Sequence, residues 1–259
     1  MVATLLLLCL VFVPSQAVDY TEGGDNWEDL CEEGHEQSPI DVTTYLEVFD
    51  VSEAARVDLD YKTLDVQGGF TDHNYQISDD WGSITFKQNG VEVTASSPQF
   101  HFHAPSEHEI DGESYDLELH IVNASEDGSL YVVGIIFEEG EENDFLQDVI
   151  DSTSQTTEID LMDVFDGLDE LTYFYNYDGS LTTPPCSQGV TWILWADIQE
   201  ASQEQIAFFT AEWADDVSFA DGNGNNRVTQ PYHGRDIKLM NSFASIAAFA
   251  ASLLVLNFI

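Results

Sequence analysis

Short runs of alternating apolar and polar residues dominate this chain, and turn residues separate them. Side chains of a strand point alternately to the two faces of its sheet, so such alternation predicts strands with one buried face. Helical periodicity is limited to Asp144–Ile150 and Gln203–Trp213. We predict a mostly β single domain with a few short helices, whose strands include Arg56–Tyr61, Asn74–Ile77, Ser83–Phe86, Val91–Thr94, Leu130–Phe137, Leu171–Tyr175 and Val190–Ala196, with a tight hairpin turn at Asn89-Gly90.

Two of the alternating runs carry histidines on one face. In residues 99–103 (QFHFH), His101 and His103 point to the same side and the two phenylalanines to the other. In residues 117–122 (LELHIV), His120 lies on the face opposite the leucines. If these two strands pair, three imidazoles converge on one point. Three neutral nitrogen ligands with a fourth position left open are typical of a catalytic Zn2+ site.

The neighbours of these histidines strengthen the metal hypothesis. Two histidines separated by one residue are, by themselves, more often a chance pair of polar surface residues than a metal site. Here Gln99 lies two positions before His101, and Glu118 lies two positions before His120, so each has a polar neighbour on its own face. Metal-bound histidines usually need such a partner to fix their tautomer and ring direction. The combination favours a Zn2+ site.

The chain is strongly acidic, with 49 Asp and Glu residues against 6 Lys and Arg residues and a formal net charge of -43. Such a surface repels nucleic acid and anionic lipid headgroups, so we expect no nucleic-acid partner. Charge repulsion on this scale destabilises a compact chain at low salt. We therefore predict a salt-adapted protein; an ordinary acidic surface of a secreted protein is the alternative.

The N-terminus has the features of a secretory signal. Residues 1–17 combine an apolar core with the small-residue sequence Ser15-Gln16-Ala17 before a cleavage point. Cleavage there removes Cys9 and leaves Cys31 and Cys186, which predicts one disulfide in an oxidising compartment. The sequence Asn123-Ala124-Ser125 is a glycosylation motif, and we predict a glycan on Asn123. The expected location is secreted or at the extracellular cell surface.

The C-terminus ends in a second apolar stretch. Residues 241–259 carry no charge and no basic residue on their far side, which favours a removable lipid-anchor (GPI) signal, with Asn241 or Ser242 as attachment residue. A buried terminal helix or a weakly spanning segment is the alternative. The predicted organisation is thus a signal at 1–17, one domain at 18–240 and a hydrophobic tail that would attach the protein to a membrane.

Five segments, in order along the chain, carry a family resemblance. The chain resembles the α-class carbonic anhydrases from about Trp27 to Lys238, on residues 38–41 (SPID), 99–103 (QFHFH), 106–108 (SEH), 118–120 (ELH) and 179–186 (GSLTTPPC). The resemblance implies a central twisted, mainly antiparallel sheet, with Zn2+ on His101, His103 and His120. It also implies reversible hydration of carbon dioxide to bicarbonate and a proton, with zinc-bound hydroxide as nucleophile. Carbon dioxide and bicarbonate would be the small-molecule partners.

The same resemblance implies roles for the residues around the metal. Thr182 would accept a hydrogen bond from the nucleophile and donate its own proton to the carboxylate of Glu107. His73 would export the proton that each turnover releases, and His108 would be structural and bind no metal. Taken alone, Thr182 is a turn residue before two prolines and His73 an exposed loop histidine. The implied substrate pocket consists of Val122, Val132, Leu181, Thr183, Val190 and Trp192, which are otherwise ordinary strand and loop residues.

The C-terminal part of the domain both follows and departs from the family. Two of the six basic residues, Arg227 and Arg235, fall in the segment that resembles it, which predicts buried or paired guanidiniums. Asn226 stands where the family usually has tryptophan, and Tyr20 is closer to Trp27 than the family's cleft tyrosine would be. A catalytically silent, acidic binding or matrix protein of the same fold is the alternative function.

Overall fold

A computed structural model describes residues 18–43, 55–88, 90–166, 173–214, 216–220 and 224–241. The predicted signal at 1–17 and the tail beyond Asn241 lie outside these residues. In the described part, the helices are α1 Leu30–Glu33, α2 Asp144–Asp151 and α3 Gln203–Ala211, with a 3-10 helix at Asp163–Phe165. The first nine strands are β1 Asp41–Val42, β2 Ala55–Tyr61, β3 Thr63–Val66, β4 Gly69–Phe70, β5 Tyr75–Ser78, β6 Gly82–Gln88, β7 Val91–His103, β8 Glu109–Ile110 and β9 Glu113–Ser114. The remaining strands are β10 Leu117–Ser125, β11 Leu130–Glu139, β12 Thr157–Asp160, β13 Tyr173–Ser180, β14 Gln188–Trp195, β15 Gln199–Ala201 and β16 Lys238–Asn241.

One large sheet organises the molecule. Its strands follow the order β16-β13-β14-β11-β10-β7-β5-β4, with β6 and β2 continuing from β7 and β15 pairing with β11. The pairs of β11 with β14 and with β15 are parallel, and the other pairs of this sheet are antiparallel. The predicted mostly β, mainly antiparallel fold is therefore confirmed.

The alternation in the sequence corresponds to two apolar layers against this sheet. On one side a large cluster contains Phe100, Phe102, Leu117 and Leu119, the residues that alternate with the histidines. On the other, a smaller cluster contains Val132 and Trp192 among others. Because each histidine strand buries its apolar side in the large cluster, its histidines are forced to the opposite side, where the site lies.

The two predicted helices form, and both have side-chain caps. Asn143 accepts a hydrogen bond from the Leu146 amide at the start of α2, and Ser202 forms a reciprocal capping box with Gln205 at the start of α3. The Gln205 amide also bonds both backbone groups of Asn143, at 2.7 and 3.0 Å, so the two helix starts are joined. Helix α3 ends at Ala211, two residues before the predicted end.

Most predicted strands are confirmed, several with wider bounds, and the first two residues of the predicted strand Leu171–Tyr175 lie outside the described residues. Strand β7 runs from Val91 to His103 as one continuous element, where the pattern predicts two separate runs, Val91–Thr94 and residues 99–103. Gln88 pairs with Val91, so the turn between β6 and β7 is the predicted two-residue hairpin, although Asn89 itself lies outside the described residues. No helix of the described part is long and apolar enough to cross a membrane.

The predicted disulfide joins Cys31 and Cys186, 155 positions apart. Both residues are buried in a third apolar cluster with Tyr20 and Trp27. A crosslink across so long a loop stabilises by up to about 5 kcal/mol in the chain-entropy model, because it restricts the unfolded chain. It ties the N-terminal segment to the loop that carries Thr182.

Candidate metal centre

The three predicted ligands converge because β7 and β10 are antiparallel neighbours. His101 pairs directly with His120, and His103 pairs with Glu118. The centroids of the three imidazole rings are 5.1, 5.2 and 4.8 Å apart. One nitrogen from each ring lies within 4.8 Å of the others, a spacing from which all three can reach a single ion.

The outward nitrogen of each ring is held by a hydrogen bond. Nδ1 of His101 lies 2.8 Å from Oε1 of Gln99, and Nδ1 of His103 lies 2.7 Å from the backbone oxygen of Asn225. Nε2 of His120 lies 2.8 Å from Oε1 of Glu118. Because these partners are acceptors, each ring must donate from its outward nitrogen, which leaves the inner nitrogen with a lone pair.

The inner nitrogens have the chemistry that zinc requires. Nε2 of His103 is fully buried and has no hydrogen-bond partner, an arrangement that is costly unless the atom binds something. Burial lowers the pKa of all three imidazoles, well below the ordinary value for His101 and to about 4 for His103. The rings are therefore neutral at physiological pH, the form that coordinates a metal, and the site fits Zn2+.

Glu118 lies beneath the site and connects several of its residues through hydrogen bonds. Its carboxylate accepts from His120 and from His108, and its Oε2 accepts from the backbone amides of Glu107 and His108, both at 2.8 Å. Burial alone would raise its pKa, but the two histidines, which donate hydrogen bonds to it, lower its pKa well below the ordinary value. The carboxylate is thus held as an anion that orients His120.

His108 lies next to this group but has no nitrogen available. His108, Glu118 and His120 also bring ligand atoms within 4.8 Å of one another. However, Nδ1 of His108 is 2.6 Å from Oε1 of Glu118, and its Nε2 is 2.6 Å from the hydroxyl of Tyr177. Since both ring nitrogens are already engaged, the geometry agrees with the prediction that His108 binds no metal.

Glu107 is a buried carboxyl facing the metal centre. Its Oε1 accepts from the backbone amide of Arg227 at 2.9 Å, and its Oε2 lies 3.9 Å from Nδ1 of His120. Burial raises its pKa to about 7, while His120 and the hydroxyl of Thr182 act in the opposite direction. The Oε2 atom completes no hydrogen bond of normal geometry. The Thr182–Glu107 contact is therefore present as a loose side-chain interaction.

A cavity of about 140 Å³ opens beside the metal centre and is lined by two of its histidines, His101 and His120. It is polar on one side and apolar on the other, and its walls include His73, Asn74, Gln76, Gln99, His101, His120, Val122, Val132, Leu181, Thr182, Thr183 and Trp192. Val190 is the one predicted pocket residue that does not line it. Val190 is buried behind the wall, in the same apolar cluster as Val132 and Trp192.

The predicted proton carrier lies at this cavity. His73 is half-buried, and burial lowers its pKa while the neighbouring Asp72 raises it. Its backbone oxygen accepts from the side-chain amide of Asn225 at 3.0 Å. The ring thus lines the same space as His101 and Thr182, on a turn that is fixed to the metal site through Asn225.

The glycosylation prediction does not fit this structure. Asn123 lies inside β10, and its side chain is fully buried. The amide nitrogen that would carry a glycan donates to the backbone oxygens of Ile121 and Tyr131, at 2.9 and 3.0 Å. A sugar on this atom would break both bonds and has no space in the folded chain.

Three residues that sequence reasoning did not single out support the site. Asn225 orients His103, and Tyr177 holds both His108 and Ser38 through its hydroxyl. Gly134 pairs with His120, and a Cβ on it would lie 2.8 Å from Leu194 and 3.2 Å from Oε1 of Glu118. The sequence carries no local signal for these roles, because each depends on a partner that is distant along the chain.

Arg227 confirms the prediction of a buried guanidinium. It donates from Nη1 to Gln37 and to the backbone oxygen of Ser38, and from Nη2 to the backbone oxygen of Cys31. The guanidinium also lies 5.5 Å from the ring of Trp27. Arg227 therefore connects the N-terminal segment to the C-terminal segment, which donates a hydrogen bond to Glu107.

Comparison with known proteins agrees with this geometry. The profile of eukaryotic-type carbonic anhydrase matches residues 22–241. Alpha carbonic anhydrase 3 of Arabidopsis thaliana is 33% identical over 220 residues, covering 81% of this chain and 76% of the relative. The carbonic anhydrase of Neisseria gonorrhoeae is 30% identical over 250 residues, covering 90% of this chain and 94% of the relative. The chain therefore belongs to the α-carbonic anhydrase family.

A solved structure extends the comparison to a relative with a different name. Dioscorin in complex with ascorbate superimposes with a TM-score of 0.69 and 28% identity, covering 87% of this chain and 95% of that one. Members of this fold thus include a protein that is not named a carbonic anhydrase, so the fold alone does not settle the activity.

Proposed function

We propose that this protein catalyses the zinc-dependent, reversible hydration of carbon dioxide to bicarbonate and a proton. The observation that carries the proposal is the set of three neutral imidazoles, each with its outer nitrogen engaged in a hydrogen bond, beside a cavity that His101, His120 and Thr182 line. Three-histidine zinc in carbonic anhydrases is the established example of an ion that brings the pKa of a bound water near 7.

The chain's own residues would position the reactants. His101, His103 and His120 would hold the ion and leave its fourth position toward the cavity. The apolar wall, which includes Val122, Val132, Leu181 and Trp192, would bind an uncharged substrate such as carbon dioxide without competing hydrogen bonds.

Thr182 and Glu107 would set the direction of a hydrogen bond. An ionised carboxylate can only accept, so the Thr182 hydroxyl would donate to Glu107 and must then accept from whichever oxygen lies in the cavity. That arrangement would aim a lone pair of this oxygen at the substrate. The loose contact between the two side chains would tighten when the cavity is filled, as catalytic hydrogen bonds often do.

His73 would accept the released proton and pass it to solvent. An imidazole does this well because its pKa lies near neutrality. His73 is half-buried and lines the cavity, so its ring can contact both the cavity and the solvent. His73→Ala should slow turnover mainly in dilute buffer, since an added base such as imidazole can take the same proton. If buffer concentration makes no difference to this variant, another group carries the proton.

The alternative is a catalytically silent binding protein with the same fold. The similarity to dioscorin is the observation that favours considering it. Retention of all three histidines together with Thr182 and Glu107 supports catalysis instead, because a silent protein has no need of them.

One experiment separates these functions. The purified protein is loaded with zinc, its metal content is measured, and carbon dioxide hydration is followed with and without a chelator. A zinc enzyme binds one equivalent at this centre and loses its activity when the metal is removed. Full zinc occupancy without hydration would support the silent alternative, and no zinc binding would reject both the metal site and the activity.

We also infer that the protein acts outside the cell, either secreted or attached to the surface through its C-terminal tail. The disulfide supports this location, because such bonds persist in oxidising compartments. Mass spectrometry of the protein from culture medium and from membranes tests the inference. Loss of residues 1–17 would support export, and phospholipase release of the membrane form would support the lipid anchor.

A further inference from the structure

Two of the seven histidines lie outside the metal centre and its cavity. His35 follows α1 near the N-terminus, and His233 lies in a turn near the C-terminus of the domain. Both are exposed, yet their rings contact each other edge to face, with centroids 5.3 Å apart and planes at 80°. The fold therefore brings together two imidazoles from opposite ends of the described chain.

The geometry of this pair resembles that of two of the three imidazole pairs in the metal centre. His101 and His103 have centroids 5.1 Å apart and planes at 75°, and the values for His101 and His120 are 5.2 Å and 88°. Rings at this separation and tilt can direct one nitrogen each at a single ion. His35 and His233 have the same separation and tilt at the surface.

Both histidines lie on backbone that is held in place. The segment after His35 is fixed by Gln37, which donates to the backbone oxygen of Cys186 at 3.0 Å. The turn at His233 is closed by a bond from the Arg235 amide to the Tyr232 oxygen at 3.2 Å. His233 itself adopts a left-handed backbone with φ of 51°, an uncommon conformation for a residue other than glycine. The backbone that carries the two rings is thus held in place, which lowers the entropic cost of bringing both rings to one ion.

Acidic residues adjoin the two histidines along the chain. A cleft of about 200 Å³ is lined by Glu36, which follows His35, and by Asp236, three positions after His233. Arg235 and Lys238 also line it, and their charges oppose a cation. The guanidinium of Arg235, however, is directed at the backbone oxygens of Pro231, Tyr232 and Asp178. Three carboxylates line this cleft against two basic side chains, and Asp178 is the third carboxylate.

We propose that His35 and His233 form a second, surface metal site for a divalent transition-metal ion such as Zn2+ or Cu2+. The two imidazoles are the anchoring ligands and water completes the coordination, while the carboxylates of Glu36 and Asp236 attract the cation without binding it directly. Imidazole selects these metals over calcium and magnesium, which prefer oxygen. The net charge of -43 raises the local concentration of any cation. The site does not depend on the proposed carbon dioxide hydration.

The test is calorimetric titration of the zinc-loaded protein with ZnCl2, compared with His35→Gln and His233→Gln. The control variant is Glu32→Gln/Glu33→Gln, which removes two exposed carboxylates of α1 and leaves both histidines. We expect one further equivalent of zinc in the natural protein and in the control, and at least a tenfold weaker affinity in each histidine variant. Addition of CaCl2 in excess should not displace this equivalent.

Three results would overturn the proposal. One is the absence of a further equivalent in the natural protein. Another is unchanged zinc affinity in both histidine variants, which would mean that the acidic surface alone binds the ion. The third is loss of the first zinc equivalent in His35→Gln or His233→Gln, since the two sites would then not be separate. Circular dichroism of each variant verifies that its fold is retained.

Discussion

Asn225 and His103 lie 122 positions apart, and the backbone oxygen of Asn225 accepts a hydrogen bond from Nδ1 of His103 at 2.7 Å. The side chain of Asn225 fixes the surrounding backbone: Oδ1 accepts from the amide of Ala104, and Nδ2 donates to the oxygens of Phe102 and His73. One residue thus connects a candidate zinc ligand with the turn that carries the candidate proton carrier.

Asn225→Ala should lower both stability and zinc affinity. The substitution leaves backbone groups around β7 without partners, and each orphaned buried group costs about 1–3 kcal/mol. Asn226→Ala is the matched control, because the Asn226 amide makes one long bond, 3.4 Å to the oxygen of Ser106. Thermal unfolding and zinc titration provide the measurements. Equal effects of the two variants would contradict the role given to Asn225.

Replacement of histidines should separate metal ligands from a structural histidine. His101→Ala should lose the zinc of the metal centre, because one of the three ligands of this centre is removed. His108→Ala should retain the zinc of the metal centre while losing stability, because Glu118 and Tyr177 each lose one buried hydrogen bond. Elemental analysis and thermal unfolding of both variants test this. Loss of zinc from His108→Ala with the fold intact would show that His108 takes part in the metal site.

Thr182→Ala should retain zinc and lose rate. One positioned hydrogen bond to the reacting oxygen is worth about 2.7–4 kcal/mol of barrier, or about 10²–10³-fold in kcat. Thr183→Ala is the control, since Thr183 also lines the cavity but has no link to Glu107. Hydration kinetics on zinc-loaded proteins measure both. Comparable losses in the two variants would mean that the cavity shape, rather than the hydroxyl of Thr182, matters.

Asp72→Asn should lower the pKa of His73 further. The negative charge of Asp72 favours the imidazolium and so raises this pKa against the effect of burial. Removing the charge leaves burial unopposed, so the ring loses its proton at a lower pH. NMR titration of the His73 ring in the zinc-loaded protein measures the change, with Asp79→Asn as the control. A pKa that rises or stays constant in Asp72→Asn contradicts this account.

The melting temperature should rise with NaCl concentration. Ion pairs between Lys or Arg and carboxylates in the described part of the chain are exposed: Arg56–Asp58, Lys62–Asp80 and Lys87–Glu92. Such pairs contribute little, so their screening costs less than the relief of repulsion among the many remaining carboxylates. KCl at equal ionic strength should act similarly. A flat or falling curve would reject salt adaptation.

The sequence predicts those parts of the molecule that depend on local pattern. Alternation gives the strands, and the side of each strand that carries phenylalanine or leucine determines the side left to His101, His103 and His120. Gln99 and Glu118 are predictable for the same reason, because residues two apart on a strand share a face. Motif resemblance adds Thr182, which no alternation could single out.

The features that the sequence does not predict depend on partners that are distant along the chain, or on how deeply a residue is buried. The motif at Asn123 is local and carries no information on burial, and the structure places its amide between two backbone oxygens. Val190 is apolar, as residues of such a pocket are, but packing decides whether an apolar strand residue faces a cavity or lies behind its wall. Asn225 and Tyr177 become recognisable only when their partners are known.

The long separation between His103 and Asn225 also governs when the site can mature in the cell. A ribosome releases the three histidines well before the residue that orients the second of them, and Arg227, which anchors Glu107, emerges later still. A nascent chain that ends before Asn225 would contain the three imidazoles, but His103 would lack the residue that orients its ring toward an ion. Insertion of the proposed zinc would therefore be a late event, which follows completion of the domain.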